Sequence, residues 1–434
     1  MSDPSPPARA AAAFHSRDFR RYELARLLVI IGAEAQALAV AWQIYLITHR
    51  AIDLGYSGLA LFLPGLLFIL PSGHVADRFD RRNVILICYT LQVFCTTALF
   101  LFAFHHVRHI LPIYAVLFLI GSGRAFSGPA SSALIPHLVP EEHFVNAVTW
   151  GATIFQMATI AGPAVGGLLF TLPIHERIAG APIVYLFTLA TLACFLVLVG
   201  SLSVRPGRME HRAFSMNVIL AGFRYVRRTP VLLGSISLDL FAVLLGGAVA
   251  LLPIFAEDIL HAGAQGLGLL RASPAVGALI ISLILAWRPI QHRAGVLMLG
   301  CVGIFGAATI LFGLSKSMVW SMLALFVVGA SDMVSVVIRS SILQLATPPE
   351  MRGRVSAVNS LFIGGSNELG EFESGLTAQW WGAVRAVIYG GIGSLMITGI
   401  WSALFPELRN TDQLTSEALI NTEAREAAQQ IRRL

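Results

Sequence analysis

The chain has 434 residues, of which 56% are hydrophobic and only 12% charged, and its formal net charge is +6. Soluble domains carry about a quarter of their residues as charged ones, so this composition excludes a water-soluble fold. The apolar residues run in blocks of roughly twenty, the length of a helix crossing a hydrocarbon core, which excludes a barrel of short alternating strands.

In chain order, residues 1–21 are polar and lack the short apolar stretch and small-residue cleavage site of a signal peptide, so the first helix is expected to act as its own insertion signal. The predicted spans are 22–48, 54–76, 83–104, 110–136, 144–172 and 181–204 in a first half, then 230–256, 264–287, 294–314, 318–346, 355–381 and 386–405 in a second. Residues 205–229 connect the halves and 406–434 form a tail. The fold class expected is an all-α integral membrane protein of about twelve helices in two related six-helix halves.

Twelve spans leave both termini on one face, and the arginines identify it. Arg9, Arg17, Arg20, Arg21, Arg78, Arg81, Arg82, Arg205, Arg208, Arg224, Arg227, Arg228, Arg352 and Arg354 fall on the face of the termini, against few basic residues on the other. By the positive-inside rule, the termini and the 205–229 connection are cytoplasmic. This topology accounts for the basic excess, so no nucleic-acid partner is expected. Within the connection, Phe214 to Arg228 mixes apolar residues with Arg224, Arg227 and Arg228, as either an amphipathic helix on an anionic lipid face or a solvated linker would.

An internal repeat supports two halves. Span four ends in Ser131-Ser132-Ala-Leu-Ile-Pro136 and continues to Pro140-Glu141; span ten ends in Ser340-Ser341-Ile-Leu-Gln344 and continues to Pro349-Glu350. After a one-residue gap, Val145-Asn-Ala-Val148 matches Val355-Ser-Ala-Val358.

Between spans two and three lies Gly73-His-Val-Ala-Asp77-Arg78-Phe-Asp80-Arg81-Arg82. It resembles the loop signature of the major facilitator superfamily, G-x-x-x-D-R-x-G-R-R, with Asp80 in place of the second glycine. Ala158-Thr-Ile-Ala-Gly162-Pro163-Ala-Val-Gly166-Gly167 in span five resembles the exporter-associated motif of that superfamily, with Ala158 where glycine is commoner. With Arg124 to Pro136 and Arg339 to Val355, the likeness extends over nearly the whole chain toward the branch that holds the enterobactin exporter and macrolide efflux carriers. The resemblance implies a proton-coupled secondary transporter of the inner membrane, exporting a small organic compound by alternating access. Siderophores, drugs and similar amphipathic solutes are the class expected.

Residue roles follow, each with a plainer counterpart. Gly73, Asp77, Arg78, Arg81 and Arg82 form either a gating latch at a cytoplasmic helix end or a positive-inside anchor. Gly162, Pro163, Gly166 and Gly167 allow close helix packing, with or without a consequence for direction. Charges at membrane depth are costly, so Glu34, Arg124, Asp239, Glu368 and Glu371 are candidates for proton coupling or the cavity wall. Arg124 matches the superfamily's span-four arginine, with a buried structural pair as the alternative. Glu34 is open between proton carrier and structural hydrogen bonding. Glu368, Glu371 and Glu373 form either an acidic vestibule or the wet end of a shorter helix. Asp332 lies seven residues before Arg339, nearly on one face, which suggests an internal bridge; with Arg352 and Arg354 these make a second-half latch. Gln36, Gln43 and Phe126 are further candidate cavity liners.

Cys88, Cys95, Cys194 and Cys301 fall inside apolar spans with no metal-ligand spacing, so neither disulfide nor metal is expected. There is no Gly-x-x-x-x-Gly-Lys-Ser/Thr sequence, so the expected energy source is the proton motive force, with no bound cofactor. The partners expected are the solute, protons and membrane lipid, with the carrier acting as a monomer. The competing functions are an uptake carrier or lysolipid flippase of the same fold, and a membrane-embedded enzyme or receptor scaffold; the last needs a catalytic cluster that the sequence lacks.

Overall fold

The computed structural model describes residues 12–172, 180–203, 216–288, 290 and 292–412, among which there is no strand. Lipid offers no hydrogen-bond partners, so long apolar segments close their backbone bonds within helices. Ten helices among the described residues are long and apolar enough to cross a membrane. They include α1 (Arg17–Thr48), which starts earlier than the predicted span because Ser16 caps it, accepting from the Phe19 N–H.

The predicted span two is divided. α2 (Ala51–Leu67) is apolar but only 17 residues long, and α3 (Ile69–Arg78) follows after a break at Phe68. Pro64 sits one turn before that break and lacks the backbone donor an intact helix needs. Then come α4 (Arg81–Phe104), α5 (Leu111–Leu134), α6 (Phe144–Leu169) and α7 (Ala181–Gly200).

α8 (Met216–Arg228) precedes α9 (Pro230–Leu245), after which Gly246 and Gly247 interrupt the predicted span seven. Short turns complete that span: a 3-10 turn at Ala248–Leu251 and a π turn at Phe255–Ile259. The remaining helices are α10 (Gly263–Trp287), α11 (Ala294–Leu314), α12 (Met318–Leu345), α13 (Pro349–Trp381) and α14 (Ala383–Leu404). α13 has 33 residues, about 50 Å of helix. It continues past Glu373 for two further turns, so the span-eleven acids are not at a helix end.

The chain forms two compact units, Met1–Phe214 with His261–Ala272, and Ser215–Leu260 with Ser273–Leu434. In the first, α1 packs on α6 and α7, and α4 packs on α5 and α7. In the second, α9 packs on α13 and α14, and α11 packs on α12 and α14. Taking spans one to six and seven to twelve in order, these are the same four pairings, so the repeat seen in the sequence recurs in the packing.

α8 lies against α13. Gly222 faces the Arg354 carbonyl, Phe223 stacks on Phe362 with centroids 6.4 Å apart, and the Tyr225 hydroxyl donates to the Ala346 carbonyl at 2.8 Å. The open alternatives for this segment thus acquire a third term, a helix docked on protein, with Arg224, Arg227 and Arg228 exposed.

The start of α11 is closed by the chain that follows α14. Arg293 N–H donates to Asp412 Oδ1 at 2.7 Å, and the Ala294 and Gly295 N–H groups donate to the Asp412 and Thr411 carbonyls. Helix N-termini leave such donors unsatisfied, and here main-chain carbonyls and one carboxylate take them.

Candidate functional site

In the first unit, the loop arginines reach helix C-termini. Arg81 Nη1 donates to the Ala133 carbonyl at 2.9 Å and lies 2.7 Å from His137 Nε2. Arg82 donates to the carbonyls of Gly200 and Leu202 at the end of α7. Last-turn carbonyls are electron-rich and unpaired, so guanidinium groups settle there. Arg78 is exposed, Gly73 lies within α3, and Asp77 occupies the last turn of α3 with its side chain outside the described residues. Asp80, which stands where the superfamily has glycine, caps α4 by accepting from Arg82 and Asn83 N–H.

The small residues of α6 bring it against α1. Gly162 faces Glu34 Cβ and the Ile31 carbonyl, and Gly166 faces Ala35. Gly167 faces Gly268, within the stretch of α10 that belongs to the same unit. Pro163 lies inside α6 between these contacts. Glu34 is half-buried, its stem held where any side chain at 162 would collide with it.

Arg124 is exposed on α5. Together with Arg26 it lies within electrostatic range of the Tyr89 hydroxyl. Arg26 also pairs with Glu23 at 3.3 Å, Glu23 being 1% exposed with its second oxygen unbonded. Tyr22 is hydrogen-bonded to Ser131. The sequence did not single out this group: Arg20 and Arg21 read as topological anchors, and Glu23 and Arg26 were passed over. The three-residue spacing of Glu23 and Arg26 was the available signal. Gln36 and Gln43 serve as interhelical acceptors, from Thr96 at 2.8 Å and from the Tyr185 hydroxyl at 2.7 Å. Phe126 packs on Phe68.

In the second unit, Arg339 pairs with Asp239 of α9, both side chains being buried. Asp332, the partner suggested by helical spacing, instead lines a narrow cavity with Asp239, Ala242, Val243, Val302, Phe305 and Ser335. Arg352 and Arg354 act locally: Arg352 Nε donates to the Thr347 carbonyl at 3.2 Å, and Arg354 Nη1 reaches Met351 Sδ at 3.4 Å. Glu368, Glu371 and Glu373 are all half-buried along α13.

Among the described residues, ten apolar spans, recurrent packing and charges placed mainly at helix ends define a multi-pass membrane carrier. The chain belongs to the transmembrane secretion effector family of the major facilitator superfamily, whose model matches residues 8–433. It is similar to the enterobactin exporter EntS of Escherichia coli O1:K1 / APEC, with 28% identity over 87% of this chain and 86% of the exporter. The EntS of Shigella boydii serotype 18 is equally similar, at 28% identity with the same coverage.

Solved structures share the fold. A bacterial homologue of the lysosomal transporter Spinster, inward-facing and unoccupied, aligns with a TM-score of 0.69 at 14% identity, covering 96% of this chain and 99% of that one. The nucleoside transporter NupG aligns at 0.66 with 14% identity, covering 90% and 99%. A bacterial homologue of ferroportin, also inward-facing, gives 0.66 and 17%, covering 91% and 99%. The protein is therefore a secondary transporter of the major facilitator superfamily, and its family and relatives are transporters rather than enzymes.

Proposed function

We propose that this protein exports a siderophore-like or similarly amphipathic organic solute across the bacterial inner membrane in exchange for protons, with both termini cytoplasmic. The carrying observation is the likeness to EntS, which runs across most of both chains. The close seating of Gly162 and Gly166 on α1 supports the exporter reading, because the motif marks exporters in the superfamily it resembles. The arginine distribution supports the orientation.

Proton coupling draws on Glu34, Asp239, Glu368 and Glu371, carboxyl groups within spans, with Arg124 as a cationic neighbour of the path. The carrier works as a monomer, surrounded by lipid, with the proton motive force as its energy source. Everted membrane vesicles from an overexpressing strain test this directly with enterobactin as the probe. Uptake driven by an imposed proton gradient and abolished by an uncoupler is the expected result. Accumulation confined to right-side-out vesicles overturns export, and uncoupler-insensitive uptake overturns proton coupling.

A further inference from the structure

The cavity of the second unit has room for about one water molecule, too small for an organic solute. Two carboxylates, Asp239 and Asp332, line it, and one guanidinium, Arg339, pairs with Asp239. With both acids ionised the group carries a net charge of −1, which is costly in a desolvated interior. A third polar group completes the site: the Ser335 hydroxyl, 1% exposed and lining the same cavity, has no hydrogen-bond partner. It lies three residues after Asp332 and so on the same face of α12.

We propose that Asp332 is the site at which this unit loads a proton, with Ser335 and the Asp239–Arg339 pair as its fixed surroundings. The proposal rests on the proton-coupled reading above and assigns the coupled ion to a residue outside the carriers named there. Protonation forms one O–H bond on the Asp332 carboxyl and breaks one in a hydronium ion, which leaves as water, and it brings the cluster to neutrality. A hydroxyl suits such a neighbour because it donates to the ionised acid and accepts from the protonated one. A metal cation is disfavoured by the Arg339 charge and by the shortage of oxygen ligands in so small a space.

The other ionisable groups around α12 are few. α9 contributes Asp239 alone, and α11 contributes the buried Cys301 thiol, next in sequence to the cavity residue Val302. The 273–287 part of α10 has no charged residue, and among the described side chains α13 carries Glu368, Glu371, Glu373, Arg352 and Arg354, none of which lines the cavity.

Infrared difference spectroscopy of the purified full-length protein in nanodiscs reads the site without a solute, through the carboxylic-acid carbonyl band as pH is varied. The wild type is expected to show a titrating band that Asp332→Asn removes and Glu373→Gln retains. Ser335→Ala, which is small enough to preserve folding, removes a polar wall residue of the cavity and is expected to raise the midpoint, because a less polar surrounding disfavours the ionised acid. A band that survives Asp332→Asn overturns the assignment, as does a wild type with no titrating band, a midpoint unmoved by Ser335→Ala, or displacement of the band by sodium at fixed pH. Failure of enterobactin export with the band present removes the solute reading and leaves the proton site. Gradient-driven export that persists in Asp332→Asn removes the proton site and leaves the solute reading.

Discussion

Arg339 bonds across to Asp239 on α9 and not to Asp332, two turns earlier on its own helix. A bridge within one helix would tie α12 only to itself, whereas this pair ties α9 to α12 within the second unit. Asp239→Asn leaves a buried guanidinium without its counter-charge and is expected to destabilise the protein by about 3–5 kcal/mol. The double variant Asp239→Asn with Arg339→Gln recovers most of that loss, because no unpaired guanidinium remains. Thermal unfolding in detergent, compared across the two single variants and the double, measures the coupling; additive effects would argue against it.

Asp80 explains why this loop departs from the superfamily's glycine. Its carboxylate accepts from two N–H groups at the start of α4. Asp80→Ala is expected to cost about 1 kcal/mol, whereas Asp80→Gly costs only a few tenths. A chemical-denaturation series on the three proteins checks the order, which reverses if the side chain serves the loop signature and not the cap.

The contact of Gly166 with the α1 backbone at Ala35 leaves no space for a methyl group. Gly166→Ala therefore forces α6 away from α1, at a cost of about 1–3 kcal/mol. Gly65 on α2 faces open space, so Gly65→Ala serves as the control and is expected not to lower the melting temperature. Equal losses at both positions would mean that helix approach is not what glycine supplies at 166.

Asp412 gives a pH dependence outside the membrane. Its carboxyl is held below the ordinary carboxylate range, chiefly by the Arg293 N–H and then by His292 beside it. A depressed folded value means the contact stabilises fully above the unfolded value, about 3.9, and is lost as pH falls through the lower folded one. Hydrogen exchange at the first turn of α11 is expected to accelerate over that acid range in the wild type, and to vary less in Asp412→Asn.

Much of this architecture was legible because lipid imposes one rule on every span. α11 was placed at its observed ends, and α12 and α6 within a few residues, from apolar length alone. Interruptions were less visible. Pro64 and the Gly246-Gly247 pair sit inside blocks as apolar as an unbroken helix, and hydropathy does not register a missing donor or a close neighbour. Partner choice was the hardest feature to read. Spacing along α12 favoured Asp332 for Arg339, while the true partner lies a hundred residues earlier and is set by packing. Ser335 carried no signal, since serines are common in such helices and only burial without a partner distinguishes it. The segment that forms α8 reads as either an interfacial amphipathic helix or a solvated linker, and neither reading contains its packing on α13, which composition cannot tell apart from lipid.

The segment after α14 has a practical bearing on how the protein is handled. The last span ends at Leu404, which invites trimming or tagging immediately beyond it. Yet residues 411 and 412 are spliced onto the first turn of a different span, and Gly295 there is pressed against the Leu408 carbonyl. An expression variant or a fused reporter must thus retain the chain at least through Asp412. A cut a few residues earlier would strip the opening turn of α11 of its acceptors while leaving every predicted span intact.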